Sequence, residues 1–410
     1  MKACRIAAPA TLTLNELAPL LPAGELSLSG VTARLASVRR GMLFVATDGG
    51  AAVVEEAISR GAAAIASEEQ SPDSCTVPWF RVQDALRLLG HLASRFAAEP
   101  SRKIAVTVTA GGPGRRALQQ AIARVETDAA AGVVAEKLAS VRSPGSESLQ
   151  RRLLAHIRSA RRSVVLECRA EDLRRGRLEG IRIASLVVAA GTIPASEEQA
   201  TLLALLTRLP EEAVVVMDAD DPATLECAQS TRALVVTAGQ SATADITWRV
   251  LRRDRQGQTL ECVSPLGRAT FALSTIDHGS AAVAALAFAH AVVHGTAPAA
   301  AAAALADKVS GPEALWRLAL PGAFDVWQGR GRRRESLARA LVEIQPFTKG
   351  RVLLVSTQRG LAGDSRREAL CEALSEARPG DALLVMSGEE HAADRAAIQE
   401  WFLSGLTGAA

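Results

Sequence analysis

The stretch Lys103–Ala117, KIAVTVTAGGPGRRA, carries the residue types best suited to chemistry. Ile104–Val108 is short, β-branched and apolar, and it stops at Gly111, Gly112, Pro113 and Gly114. It reads as a buried strand running into a tight glycine turn. Arg115–Glu126 then has helical character. Strand, glycine turn and helix in that order make an anion cradle, with backbone N–H groups and the helix N-terminus facing a phosphate. Nucleoside triphosphate chemistry at such a loop also uses a Lys on the β/γ-phosphates and a Ser or Thr hydroxyl on Mg²⁺. Arg115 and Arg116 occupy those two places, and Pro113 lacks the N–H of one donor. Gly111, Gly112, Gly114, Arg115 and Arg116 therefore predict a nucleotide or anion scaffold without the side chains that turn ATP over.

Other reactive types are scattered. Glu167 ends the apolar run Val164–Glu167, where a carboxylate could ligate a metal or pair with an arginine. Cys168 beside it has no nearby His to activate it, so it is not read as a nucleophile. His290 and His294 are one helical turn apart, which is also metal-ligand spacing, but no H-E-x-x-H pattern or carboxylate accompanies them. Packing or solvent exposure is the expectation there. The six cysteines form no CxxC pair and read as reduced thiols.

The elements that must hold these residues alternate in type. Met42–Ala46, Ala62–Ala66, Ile104–Val108, Val164–Glu167, Ser185–Ala189, Ala213–Met217, Ala233–Thr237, Arg351–Ser356 and Ala382–Met386 read as strands. Helices are expected between them, including Asp84–Ala97, Gly279–His294, Ala299–Ala306 and Ser365–Ala377. Short Val/Leu-rich strands alternating with helices argue for parallel sheets covered on both faces. Trp248–Thr270 reads as an antiparallel excursion. In 410 residues this gives three α/β units, with expected boundaries 1–101, 102–308 and 309–410. A short capped helix near Thr13 and no membrane-length apolar run predict a cytoplasmic chain. A net charge of +3, 3% aromatic residues and no Tyr argue against a nucleic-acid partner, despite arginine groups such as Arg151-Arg152, Arg158 and Arg161-Arg162.

Several stretches together resemble the Mur ligases, MurE-like above all. Val38–Ala46 is similar to V-x-x-G-x-L-F-V-A and Ala57–Ala64 to A-I-x-x-G-A-x-A. Glu167 with Leu178–Ile181 is similar to E-V-S-S-x-x-L…R-V-x-G. Asp218-Ala219-Asp220-Asp221 resembles N-x-D-D, and Gly380 to His391 the closing G-D-x-x-L-x-x-G-K-G-H-E. The resemblance implies an α/β fold of three domains: a uridine-site-like N-terminal domain, a central P-loop-type parallel sheet and a shortened C-terminal Rossmann-like domain. It also implies ATP and Mg²⁺ as cofactors, a UDP-muramoyl peptide as substrate, Glu167 as a metal ligand and His391 as a functional His. Asp218, Asp220 and Asp221 would be nucleotide-binding.

The departures fall on chemistry. G-T-N-G-K-T is Gly111–Arg116; the metal-binding D-H-L-D is Pro194–Glu197; the uridine-contacting D-S-R is Arg34-Leu35-Ala36; D-Y-A-H is Gly329–Arg332; and D-N-P-R is deleted. No Lys lies between Lys137 and Lys308 to serve as the carbamylated lysine. The expectation is a Mur-ligase-like protein that has lost ligation and partners the cell-wall synthesis machinery. The alternatives are a divergent ADP-forming ligase and a non-hydrolysing nucleotide or anion sensor.

Overall fold

The computed structural model describes residues 11–17, 20–22, 24–47, 51–129, 133–137, 145–189, 197–320, 324–331, 334–356, 364–387 and 394–401. Near Thr13 a two-stranded ladder, β1 (Leu12–Thr13) with β2 (Ser27–Leu28), leads into a one-turn helix at Leu14–Leu17. Thr13 and Glu16 cap that turn reciprocally, Thr13 N–H and O–H donating to the Glu16 carboxylate.

A first parallel sheet runs β3 (Gly30–Thr32), β4 (Met42–Ala46), β5 (Ala64–Ser67), β6 (Trp79–Arg81). The central sheet holds β7 (Ala105–Gly111), β8 (Val133–Lys137), β9 (Ser163–Glu167), β10 (Ser185–Ala189), β11 (Val214–Asp218), β12 (Leu234–Gly239), β13 (Ile246–Asp254), β14 (Gly257–Ser264) and β15 (Gly267–Leu273). Its order is β15-β14-β13-β12-β11-β10-β7-β9-β8, parallel from β8 to β13 and antiparallel through β15. The last sheet runs β16 (Leu315–Leu318), β17 (Asp325–Arg330), β19 (Ala382–Ser387), β18 (Val352–Ser356), with only β16 antiparallel.

The central strands are apolar almost throughout because both faces are covered. All five residues of β10 are buried. On one face the Arg115–Ala129 helix packs with the Ala-rich His278–Val293 helix, in which every residue from Ser280 to Val292 is buried. On the other face lie the Ser146–Arg158 and Glu197–Leu206 helices. The chain joins its sheets tightly. Helix Ala85–Phe96 meets the Gly176–Gly180 turn backbone to backbone at Gly90. The Glu147 carboxylate accepts from Thr32 O–H and Ala33 N–H at 3.2 Å each, tying the central unit to β3. Arg253 and Arg255, in the β13–β14 hairpin, reach Glu343 (2.5 Å) and Asp325 (3.1 Å) in the last unit.

Candidate functional site

Parallel pairing places Thr109 opposite Glu167 and Gly111 opposite Ala189, so the glycine loop and the end of β9 lie side by side at the carboxyl edge of the sheet. This is the edge where open α/β sheets bind ligands. Gly111 has φ +90°, and a Cβ there would sit 3.0 Å from the Ala189 carbonyl oxygen and from Val188 Cγ1, so only glycine makes this turn without strain. Gly112 N–H donates to the Ala189 oxygen (3.4 Å), and Arg115 N–H closes the turn on the Gly112 oxygen (3.2 Å). With Pro113 lacking an N–H, three of the cradle's backbone positions have no donor to give a ligand.

Arg115 is the decisive side chain. Its guanidinium turns back over the loop, donating from Nη1 to the carbonyl oxygens of Gly112 (3.2 Å) and Gly111 (3.4 Å). Its Nε lies 3.2 Å from Glu167 Oε1. Arg169 Nε meets the same carboxylate oxygen at 3.3 Å. Glu167, only 4% exposed, is thus held between two guanidiniums. A buried carboxylate so paired has these charge-assisted bonds to break before it can bind a metal. The Glu167 side chain is buried and paired with arginine. Arg116, in the first turn of the same helix, is exposed.

The three aspartates at the end of β11 lie on the same edge with structural duties. Asp218 Oδ1 accepts Asp220 N–H (2.9 Å), and burial pushes its pKa up. The Asp220 carboxylate accepts Gln240 N–H (2.6 Å) and Ser241 N–H (3.0 Å), and Asp221 caps the Pro222–Cys227 helix through Thr224. A cleft of about 650 Å³ runs from Gly114 past Asp218 and Asp221 to His278 and on to Glu313 and Glu343 of the last unit. Burial pushes the Cys168 thiol up to about 12, in keeping with an inert thiol.

Asp277 joins the two walls of this cleft. It caps the His278–Val293 helix through Ser280 N–H (2.7 Å) and O–H (2.8 Å), and it accepts Leu315 N–H (3.1 Å) from β16. Desolvation raises its pKa from 3.8 to about 6, with those hydrogen bonds opposing. The fold therefore favours the protonated acid. Between pH ~4 and ~6 the unfolded chain ionises before the native one, and this group's stabilisation falls as pH rises, by about 3 kcal/mol at about 1.4 kcal/mol per unit. Urea midpoints of the chain and its Asp277→Asn variant should thus draw together, or cross, as pH rises through that window. A pH-independent gap would show that Asp277 does not titrate there.

The absence of a carboxylate expected beside His290 is not what the fold provides: Glu126 Oε1, from the neighbouring helix, stands 3.8 Å from its Nδ1. Glu126 in turn accepts Ser163 O–H at 2.6 Å. Burial pushes the pKa of His290 well below its usual value and that of Glu126 up. Periodicity on one helix could not reveal a partner 164 residues away. His391, Pro194–Ser196 and Gly388–Glu390 lie outside the described residues. Among the described residues no three His, Cys, Asp or Glu side chains converge as a metal site. The loop as folded does not fit Mg²⁺ and a triphosphate: Glu167 is ion-paired, position 116 carries Arg rather than a hydroxyl, and the Arg115 guanidinium bonds to the loop carbonyls.

No family model matches the chain. Among known proteins it is 27% identical to the UDP-N-acetylmuramoyl-L-alanyl-D-glutamate–2,6-diaminopimelate ligase of Brucella melitensis, over 96% of this chain and 86% of that one. The ligase of the same name from Mesorhizobium japonicum is 29% identical over 87% and 79%. A solved ligase of that name superposes with TM-score 0.74 at 16% identity, covering 95% of this chain and 99% of its own. The MurF ligase of Thermotoga maritima, in complex with ADP, superposes with TM-score 0.53 at 16% identity, covering 93% and 98%. The architecture is that of the three-domain Mur ligases. The sequence relatives are ligases of the MurE type, and it is that type which the chain resembles.

Proposed function

We propose that this chain is a Mur-ligase-fold protein that no longer ligates, and that it serves peptidoglycan-precursor synthesis in the cytoplasm as a binding partner of its enzymes. One observation carries the reading: the Arg115 guanidinium lies on the Gly111 and Gly112 carbonyls and against Glu167, where the family's ATP and metal would be held. Among the described residues no helix is long and apolar enough to cross a membrane.

Calorimetric titration with Mg²⁺ and a non-hydrolysable ATP analogue tests it. No heat at about millimolar ligand is the expected result, which limits affinity to weaker than roughly −4 kcal/mol. Saturable binding would sink the reading. If it came with Mg²⁺-dependent ADP release from ATP in the presence of a UDP-muramoyl peptide and an amino acid, the chain would be a divergent ligase. The retained cleft, with Asp218 on its wall, favours that second reading. Binding without ADP release would make it a nucleotide sensor.

A further inference from the structure

We propose that the basic edge formed by Lys103, Arg158, Arg161 and Arg162 docks an acidic segment of a partner protein. These cations come from two stretches that the fold brings together. Lys103 precedes β7, Arg161 and Arg162 precede β9, and the two strands pair in parallel with Ala105 opposite Ser163. Ala105 N–H donates to the Arg162 carbonyl at 3.0 Å. Arg158 ends the Ser146–Arg158 helix just before that turn. All four side chains are exposed. The edge is the amino end of the parallel strands, opposite the glycine loop, so it works independently of any chemistry there.

Among the described residues these four cations have no carboxylate partner; Glu126, which reaches Ser163 next to Arg162, is taken up by the Ser163 O–H at 2.6 Å. From Ser148 to Leu166 the chain has no Asp or Glu. Many exposed arginines elsewhere have a carboxylate, such as Arg60 on Glu56, Arg232 on Glu211 and Arg252 on Asp254. Arg102, next to Lys103, is itself satisfied by Glu99 at 3.2 Å. Lys103, Arg158, Arg161 and Arg162 make no ion pair or side-chain hydrogen bond among the described residues. A helix C-terminus favours a cation within its last turn, which accounts for Arg158 alone. The other three lie outside the helix, where crowding of like charge is a cost that an external anion relieves. The turn also holds strain: Ala160, an L-residue, has φ +57° while its N–H and that of Arg161 bond back to Ile157 and His156.

Guanidinium forks match carboxylates two bonds at a time, which suits Asp and Glu side chains. A nucleic acid would want aromatic stacking and a bilayer would want apolar insertion. Among the described residues the large exposed apolar side chains, Leu234, Leu251, Val263, Leu266, Val342, Val352 and Leu354, all belong to other elements.

Fluorescence anisotropy with a labelled polyglutamate peptide reads this directly. Saturable binding at about 50 mM NaCl is expected, weakening about tenfold or more by about 300 mM as exposed charges are screened. The Arg158→Glu, Arg161→Glu, Arg162→Glu variant should lose about tenfold or more at low salt, and the corresponding Gln variant an intermediate amount. A control with the same change of net charge, Arg60→Glu, Arg232→Glu, Arg252→Glu, should stay within about twofold of the unaltered chain. Thermal midpoints establish that each variant is folded. No peptide binding, an equal loss in the control, or tighter binding to phosphatidylglycerol vesicles or duplex DNA at the same salt would overturn the assignment.

Discussion

Replacing the loop pair by Arg115→Lys and Arg116→Thr should give the chain a saturable, Mg²⁺-dependent affinity for a non-hydrolysable ATP analogue at least about tenfold above that of the unaltered chain. Arg115 is held by the two loop carbonyls and by Glu167. A ligand phosphate would have to break those bonds and leave Glu167 with Arg169 as its remaining partner. Lysine has no planar fork to satisfy two carbonyls and a carboxylate together, and its ammonium is the point charge that phosphate loops use. Threonine at position 116 restores a hydroxyl for Mg²⁺. An affinity moving from weaker than about 1 mM to roughly 10–100 μM would correspond to about 1.4–3 kcal/mol. The Arg115→Ala variant, which opens the cradle without supplying a cation, should fall well short of that gain. A double variant that folds yet binds nothing would show that Arg115 is not what closes the site, and would shift the cause to Pro113 and the lost backbone donor.

Much of this was legible in the sequence because the signals were local. The strand–glycine–helix order around Gly111–Gly114 fixes the loop, and apolar runs such as Ser185–Ala189 announce buried parallel strands. The helix expected from Arg115 to Glu126 extends to Ala129, and the expected helix Gly279–His294 spans His278–Val293, since Asp277 provides the cap. Strands β16 and β17 are not legible in this way, because Leu315–Leu318 and Asp325–Arg330 interleave Trp, Arg and Gln with few aliphatics. Their sheet partners supply the order that propensity does not.

The site was half legible. Loss of Lys and of the hydroxyl can be read residue by residue, but the fate of the replacement cannot. Arg115 and Glu167 are 52 residues apart and meet only because β7 and β9 are parallel neighbours. The same holds for Glu126 with His290 and Glu147 with Thr32, each a pair made by packing between elements. Asp277 could have been found, since Asp three residues before a Ser at the start of an apolar helix is a capping pattern.

Gly90→Ala should destabilise the chain by about 3 kcal/mol, although it lies in a helix interior where the exchange ordinarily stabilises by roughly 0.5–1 kcal/mol. The added Cβ would stand 2.2 Å from Glu179 Cβ and 2.7 Å from its carbonyl oxygen. That neighbour is backbone, so no rotamer can yield. The reverse contact is equally close: Gly180, at φ +70°, would place a Cβ 2.4 Å from the Gly90 oxygen. Nor can Glu179 move away cheaply, since its carboxylate is held by Arg208 with His91 at 3.9 Å, and the Gly180 oxygen accepts Gln150 Nε2 at 3.1 Å. The helix Ala85–Phe96 can accept the methyl only by lifting off the central unit, which strains the Glu147 bonds to Thr32 and Ala33 as well. A urea midpoint lowered for Gly90→Ala, with early proteolysis between the first sheet and β7, is the expected result. An unchanged or raised midpoint would mean that the first unit is not seated on the central one through this glycine pair.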